Sequence, residues 1–197
     1  VKSEMTDESG DYAFYENPMY VDYAITASKN DDYLNGVSTL DLVKIQRHIL
    51  GLESLDSPYK LIAADVNADD KVKASDLTEL RKLILGVIVE LPTNDSWRFV
   101  DAEQSLTMET PLEDVDYTVD VLDLQSDMMS GDMIAVKVGD VTENASTNLK
   151  NENIEIRSSK TLELLIEDRE VQAGEEVEVV FTSDKFIEVY GFQSTME

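Results

Sequence analysis

Oxygen-bearing side chains recur at alternate positions between residues 65 and 76. Asp65, Asn67 and Asp69 occupy positions 1, 3 and 5 of a twelve-residue segment, and Asp76 occupies position 12. Calcium is a hard cation that takes about six to eight oxygen ligands, and calcium loops supply them from these positions together with a backbone carbonyl at position 7. That carbonyl belongs to Lys71. The spacing therefore predicts a calcium site made by these five residues.

A helix is predicted directly after this loop, because residues 77–86 carry apolar side chains at helical spacing and end in glycine. The loop departs from the EF-hand pattern at two positions. Asp76 stands where glutamate is usual, so the loop must draw in more tightly. Asp70 stands where glycine is usual, and aspartate is among the residues that tolerate a positive φ. No helix is predicted before the loop, because Pro58 interrupts the preceding connection.

A second copy of the loop–helix pattern lies 35 residues upstream. The residues that match at this offset are Val37 with Val72, Asp41 with Asp76, and Gly51 with Gly86. An internal repeat indicates that one supersecondary unit is used twice. Each unit has an apolar helix face, so the two helices are expected to bury these faces against each other.

The upstream loop, called the first loop from here on, fits the ligand pattern less well than the loop at 65–76, which is called the second loop. At the strict offset Asn30 and Asp32 fall on positions 1 and 3, but position 5 is a leucine. A loop shorter by one residue would instead place Asn35 at position 5. The candidate ligands are therefore Asn30, Asp31, Asp32, Asn35 and Asp41, and which of them bind stays open at this point. We expect two calcium ions in all, the one in the second loop being held more firmly.

A calcium loop with one exiting helix, aspartate at position 12 and leucine next resembles the repeat of dockerin type I domains, over about residues 28–90. The resemblance implies paired calcium loops and docking to a protein partner such as a cohesin. Four further motifs, NGVSTLDL, SPYKLIAAD, SWRFV and KVGDVT, make residues 11–145 similar to dockerin-type regions in large secreted surface proteins of Bacteroidetes-like bacteria. In those regions the strands after the second repeat belong to the same module.

The predicted fold class is α+β, with the paired calcium loop–helix repeats flanked by β-strands and a partial β-sandwich. β-Branched and aromatic runs predict strands at residues 11–15, 20–26, 87–91, 117–124 and 132–140. The first two are expected to form a hairpin or a sheet edge. The single tryptophan, Trp97, is either a carbohydrate-stacking platform or, as we expect, part of the packing.

Four segments are predicted. Residues 1–27 are N-terminal strands or the end of a preceding β domain, 28–145 the dockerin-like pair with its β extension, 146–160 a linker, and 161–197 an incomplete cohesin- or immunoglobulin-like β-sandwich. A sandwich needs about seven strands, and too few are readable here. Either the chain is an artificial fragment, or strands from a neighbouring copy complete it, as in a head-to-tail filament.

Composition limits the partners. The chain has 16 lysines and arginines against 42 aspartates and glutamates, a net charge of −26, and no cysteine. Nucleic acid and anionic membranes would be repelled, and no apolar run reaches the ~20 residues that span a bilayer. We therefore expect other protein chains as partners, and a secreted, extracellular or cell-surface location where calcium is plentiful.

No catalytic signature is readable. The sequence has no Ser-His-Asp pattern, phosphate loop or nucleophile elbow, and its single histidine, His48, lies among apolar helix residues, which favours a structural role. The predicted function is a non-catalytic, calcium-stabilised assembly module of an extracellular surface protein, serving as an adhesin, scaffold or filament subunit. The alternative is a cellulosome-type dockerin that docks a polysaccharide-degrading enzyme onto a cohesin.

Overall fold

The computed structural model of this chain describes residues 1–147 together with Leu165, Val180 and Thr182. The chain divides into two compact units, Val1–Lys150 and Asn151–Glu197. In the second unit an antiparallel bridge joins Leu165 to Thr182. The predicted β-sandwich at 161–197 and most of the predicted linker otherwise lie outside the described residues.

Two helices of equal length form the centre of the first unit: α1 spans Thr39–Ile49 and α3 spans Ala74–Ile84. They pack against each other. Each helix has an aspartate at its third position whose carboxylate accepts the N–H of the residue just before the helix. Each then ends at a glycine with positive φ, Gly51 and Gly86, and glycine adopts this conformation without steric penalty.

These helix ends explain why the predicted strand at 87–91 is wrong. The N–H groups of Val87 and Ile88 turn back to the carbonyl of Lys82, as the N–H beyond a glycine cap does in a Schellman motif. The backbone here is therefore used to close α3 rather than to pair with another strand. The side chains of Val87 and Val89 are exposed.

A third helix, α2, spans Pro58–Ala64 between α1 and α3. The prediction that no helix precedes the second loop is wrong, because Pro58 stands at the first helical position rather than inside the helix. Proline is favourable there, since its missing N–H would have had no intrahelical partner. The helix is short but buries Leu61, Ile62, Ala63 and Ala64.

Two small antiparallel sheets complete the described fold. Strand β1 (Tyr23–Ile25) pairs with β3 (Val119–Val121), and β2 (Trp97–Asp101) pairs with β4 (Met133–Lys137). The predicted hairpin between residues 11–15 and 20–26 is wrong. Residues 11–15 form no strand, and Glu16 and Tyr20 both have positive φ, which interrupts an extended run. The strands predicted at 20–26, 117–124 and 132–140 are found in shorter form, and β2 was not predicted.

The segment after β4 is inserted into the core beside the helices. Val138 and Val141 are buried together with residues of all three helices. The N–H of Gly139 donates to the carbonyl of Ala63 at 2.8 Å, and a Cβ added to Gly139 would lie 2.8 Å from Leu80. Close approach of backbone to helix therefore requires glycine here.

Trp97 is also buried, which favours its expected packing role over a carbohydrate platform. In the described part of the chain, no helix combines the length and apolar character needed to cross a bilayer.

Lys137, at the end of β4, is a buried cation. Its Nζ donates to the carbonyls of Tyr33 at 3.0 Å and Val138 at 3.3 Å and lies 6.0 Å from the centre of the Trp97 ring. Burial lowers the pKa of this lysine from 10.5 to about 8, although the nearby carboxylates of Asp32 and Asp140 oppose the change. The charged form is thus disfavoured in the folded state.

The fold should therefore become more stable between pH 8 and pH 10, because in this range the unfolded chain binds a proton at Lys137 that the folded chain has released. Lys137 alone should raise the free energy of unfolding by about 2 kcal/mol over this interval. Urea denaturation of the wild type and of Lys137→Met at both pH values isolates the contribution. A variant with the same pH slope as the wild type would contradict the expectation.

Candidate metal centre

Two buried aspartates hold the ends of the loop at 65–76. Asp65 directly follows α2 and Asp76 lies in the first turn of α3, and neither has exposed surface. Asp65 accepts the N–H groups of Asp69 at 3.0 Å and Asp70 at 3.1 Å. Asp76 uses one oxygen to accept the N–H of Asn67 at 3.1 Å and the other to cap α3. The two carboxylates thus fix the loop from both ends.

The backbone between them doubles back through two residues in the left-handed region, Ala68 at φ 55° and Asp70 at φ 59°. Asp70 is the residue that stands where glycine is usual, and it adopts the positive φ that the position requires. Its own side chain is exposed.

The middle of the loop carries the remaining side chains predicted to bind calcium. The Asn67 amide donates to the Asp69 carboxylate and to the Ser75 hydroxyl, both at 3.2 Å. Asp69 also pairs with the Lys73 ammonium at 2.7 Å, and this hydrogen bond lowers the pKa of the Asp69 carboxyl. Lys71, which would offer its carbonyl, is exposed.

Electrostatics make the buried end of the loop unfavourable for a bare carboxylate. Burial raises the pKa of Asp65, and the negative charge of Asp76 raises it further. The N–H groups of the loop and the guanidinium of Arg98 oppose the shift, the guanidinium lying 3.5 Å from the Asp65 carboxylate. Arg98 also stacks on the Tyr117 ring, 4.2 Å from its centre. Nothing in the local sequence pattern indicated Arg98, because it reaches the loop from β2.

The oxygens of this loop suit a hard cation, since they comprise carboxylates, an amide and a backbone carbonyl. Within the described residues, however, no three acidic or histidine side chains converge as a group that could hold a metal ion by themselves. A cation at this loop therefore depends on the neutral oxygens of Asn67 and Lys71 as well as on the carboxylates.

Three candidate ligands of the first loop, Asn30, Asp31 and Asp32, form hydrogen bonds with residues other than Asp41. Asn30 accepts the N–H of Ser96 at 2.9 Å, and the N–H of Asp31 donates to the Ser96 hydroxyl at 2.9 Å. Asp32 accepts the N–H of Leu34 within its own turn. These bonds attach the segment to the start of β2.

Asp41 and Asn35 instead contact the segment that follows β4. Asp41 has no exposed surface and accepts the N–H groups of Val141 and Thr142, each at 3.0 Å. Asn35 forms two hydrogen bonds with the backbone of Ser146, at 2.6 and 3.0 Å. Burial raises the pKa of Asp41, while hydrogen bonds from Ser38 and Thr142 oppose this shift.

The prediction for the first loop did not include Asp140, the acidic residue of this segment. Asp140 is buried, and its charge contributes to the raised pKa of Asp41. A signal was present in the sequence, because DVTEN at 140–144 repeats the alternation of DVNAD at 65–69.

Residues 31–85 match the family model of the dockerin type I domain. The match spans α1, α2 and α3 and supports the dockerin resemblance for this part of the chain. Dockerin type I domains bind calcium and dock to protein partners, and they are not catalytic. The searches of curated proteins and of solved structures returned no match.

Asp76→Ala should destabilise the protein far more than Asp70→Ala. Loss of the Asp76 carboxylate leaves two backbone N–H groups without acceptors, which should lower the free energy of unfolding by about 2–4 kcal/mol. Asp70→Ala changes an exposed side chain and keeps a β-carbon at positive φ, so its effect should stay within about 0.5 kcal/mol.

Asp70→Gly is the matched control for the backbone, and it should stabilise the loop by up to about 1 kcal/mol because glycine adopts positive φ freely. Urea denaturation in saturating calcium measures all three variants. Equal losses for Asp76→Ala and Asp70→Ala would show that the Asp76 carboxylate does not hold the loop.

Proposed function

We propose that this chain is a non-catalytic, calcium-stabilised assembly module of an extracellular surface protein. The proposal is carried by one observation: the dockerin-matching segment contains a loop whose two end carboxylates, Asp65 and Asp76, are both completely buried. Dockerin modules occur in extracellular proteins, where calcium is available at about millimolar concentration.

Calcium would act as a fastener in this module. Bound calcium supplies positive charge that keeps buried carboxylates ionised, and its binding free energy adds to the stability of the fold. The proposed ligands are the side chains of Asp65, Asn67, Asp69 and Asp76 and the carbonyl of Lys71. Asp69 would exchange its ion pair with Lys73 for the cation. The result is a fixed connection between α2 and α3.

Two groups of exposed apolar side chains that suit a protein partner lie at the C-terminal ends of α1 and α3. The C-terminal turns expose apolar side chains at corresponding positions of the two repeats: Leu50 with Leu85, and Leu52 with Val87. Cationic residues of the last helical turns, Arg47, Arg81 and Lys82, lie beside them. On a chain of net charge −26, this local combination favours a partner whose contact surface is apolar with an acidic rim.

The cellulosome-type dockerin remains the second candidate, and the two helix faces bear on it. In such dockerins two near-identical faces commonly carry the contact, whereas here the corresponding residues differ. His48 accepts the N–H of Leu55 at 3.2 Å, a structural role, and its counterpart Leu83 is buried. The two faces are therefore not interchangeable, which favours a single, fixed mode of docking.

Removal of calcium should lower the thermal midpoint by about 5–10 °C. This follows from the loss of roughly 3 kcal/mol of binding free energy at a hundredfold excess over the dissociation constant. Magnesium should not restore the midpoint, because it prefers octahedral geometry and keeps its waters. Circular dichroism melts in calcium, in chelator, and in chelator with excess magnesium test this. An unchanged melt in chelator would exclude calcium as a stabiliser.

Self-assembly and cohesin docking give different sedimentation behaviour. An assembly module completed by strands of a neighbouring copy should sediment faster as protein concentration rises in calcium. If the exposed apolar side chains at the helix ends contribute to self-association, the double variant Leu52→Ser, Val87→Ser should reduce this concentration dependence. Analytical ultracentrifugation measures both. A chain that stays monomeric at every concentration and binds a type I cohesin would favour the cellulosome-type alternative.

A further inference from the structure

The buried Asp140 holds the backbone after it in the same way that Asp65 does. Asp65 accepts the N–H groups of the residues four and five positions later. Asp140 likewise accepts the N–H groups of Asn144 at 2.9 Å and Ala145 at 2.8 Å, four and five positions later. Residues 140–145 therefore fold like the first half of the loop at 65–76.

Asp41 has the same hydrogen-bonding relation to residues 140–145 as Asp76 has to the second loop. One oxygen of Asp76 accepts the N–H of the third loop residue, and one oxygen of Asp41 accepts, at 3.0 Å, the N–H of Thr142, the third residue from Asp140. In both cases the other oxygen accepts, at 2.9 Å, the N–H three residues before its own. Residues 36–41 therefore correspond to the second half of the loop.

The backbone and burial agree with this correspondence. Glu143, at position 4, has φ 60°, and Ala68 at position 4 of the second loop has φ 55°. Val141 and Val66, both at position 2, are buried in the core. Residues 140–145 thus repeat their counterpart in the conformation of position 4 and in the side chain that they bury. At the junction the two loops differ, because the positive φ lies at Gly36, position 7, instead of at position 6 as in Asp70.

The two halves meet where a continuous loop would connect positions 6 and 7. A Cβ added to Gly36 would lie 2.7 Å from the backbone of Ala145 and 2.7 Å from the carboxylate of Asp140. Gly36 also has φ 74°. Residues from distant parts of the chain therefore form one closely fitted loop, and the missing β-carbon of Gly36 leaves room for this approach.

One contact among the oxygens at this junction cannot be a hydrogen bond while both carboxylates are ionised. The hydroxyl oxygen of Thr142 lies 2.9 Å from an oxygen of Asp41 and 3.0 Å from an oxygen of Asp140. A hydroxyl has a single proton to donate, so only one of these two carboxylates can accept it. The other contact sets two oxygens with lone pairs against each other, which is unfavourable unless a cation lies between them or one carboxylate takes up a proton.

We infer that the chain carries a second calcium loop that is split between two distant segments. Residues 140–145 supply positions 1–6, and residues 36–41 supply positions 7–12. The proposed ligands are the side chains of Asp140, Thr142, Asn144 and Asp41 and the carbonyl of Gly36. The inference rests on the calcium binding proposed above. It keeps Asp41 from the candidate ligands of the first loop and replaces Asn30, Asp31, Asp32 and Asn35.

The donor set also ranks the two sites. The split loop offers two carboxylates, from Asp41 and Asp140, whereas the loop at 65–76 offers three. Calcium affinity in such loops follows the number of charged ligands and the rigidity of the site. The split loop is therefore the weaker of the two.

Calorimetric titration of the full chain with calcium tests the split loop. The wild type should bind two ions, and Asp65→Asn and Asp140→Asn should each leave one. Asn144→Asp adds a third carboxylate at position 5, so it should tighten the weaker site about tenfold and leave the tighter site unchanged. Asn144→Ala should weaken the same site.

Glu143→Gln provides the matched control, because it removes one negative charge from the neighbouring exposed residue without removing a proposed ligand. It should change either affinity by no more than about twofold, as expected for a screened surface charge. The Asn144 variants change an exposed side chain, so they report on the site even where Asp140→Asn fails to fold.

A wild type that binds one ion, lost in Asp65→Asn and unaffected by Asn144→Asp, would overturn the split loop and leave the proposed function intact. Two ions with neither affinity altered by the Asn144 or Asp140 variants would overturn it as well. A chain that binds no calcium at all would overturn the proposed function and this inference together.

Discussion

Each of the two central helices has, in its first turn, a buried aspartate that serves two segments at once. One oxygen of Asp41 or Asp76 caps its own helix, and the other accepts the N–H of Thr142 or of Asn67, respectively. Both carboxylates must be ionised to act only as acceptors, and both are buried near a second aspartate. Burying like charges together is unfavourable without a compensating cation. The helix pair, the loops and the segment after β4 all depend on how this charge is balanced.

The hydrogen bonds to Asp41 also show that the packed structure extends beyond the residues that the family model matches. The dockerin match ends at residue 85, but the segment after β4 is bonded to Asp41 and to the end of α2. Val138 and Val141 contribute to the same core as the three helices. The segment that follows β4 therefore belongs to the structure that fixes α1, because its residues Val141 and Thr142 donate hydrogen bonds to Asp41.

Three features of the described unit fit the non-catalytic docking role of dockerin type I domains. Its one histidine has a structural hydrogen bond, its buried carboxylates are engaged by backbone N–H groups, and the C-terminal ends of α1 and α3 expose apolar side chains. Under the proposed function, the exposed apolar and cationic side chains at the helix ends would contact the partner.

Local patterns in the sequence were enough to predict the second loop, the two long helices and three of the strands, because short-range periodicity and ligand spacing act within about a dozen residues. The same reasoning failed where one residue has two possible structural effects. Pro58 begins a helix instead of preventing one, and Val87 closes a helix instead of starting a strand. The pairing of β1 with β3, the approach of Arg98 to Asp65 and the meeting of Gly36 with Ala145 are contacts between remote segments. Only the tertiary structure could decide them, because no local preference determines which distant backbone fills the space beside a buried carboxylate.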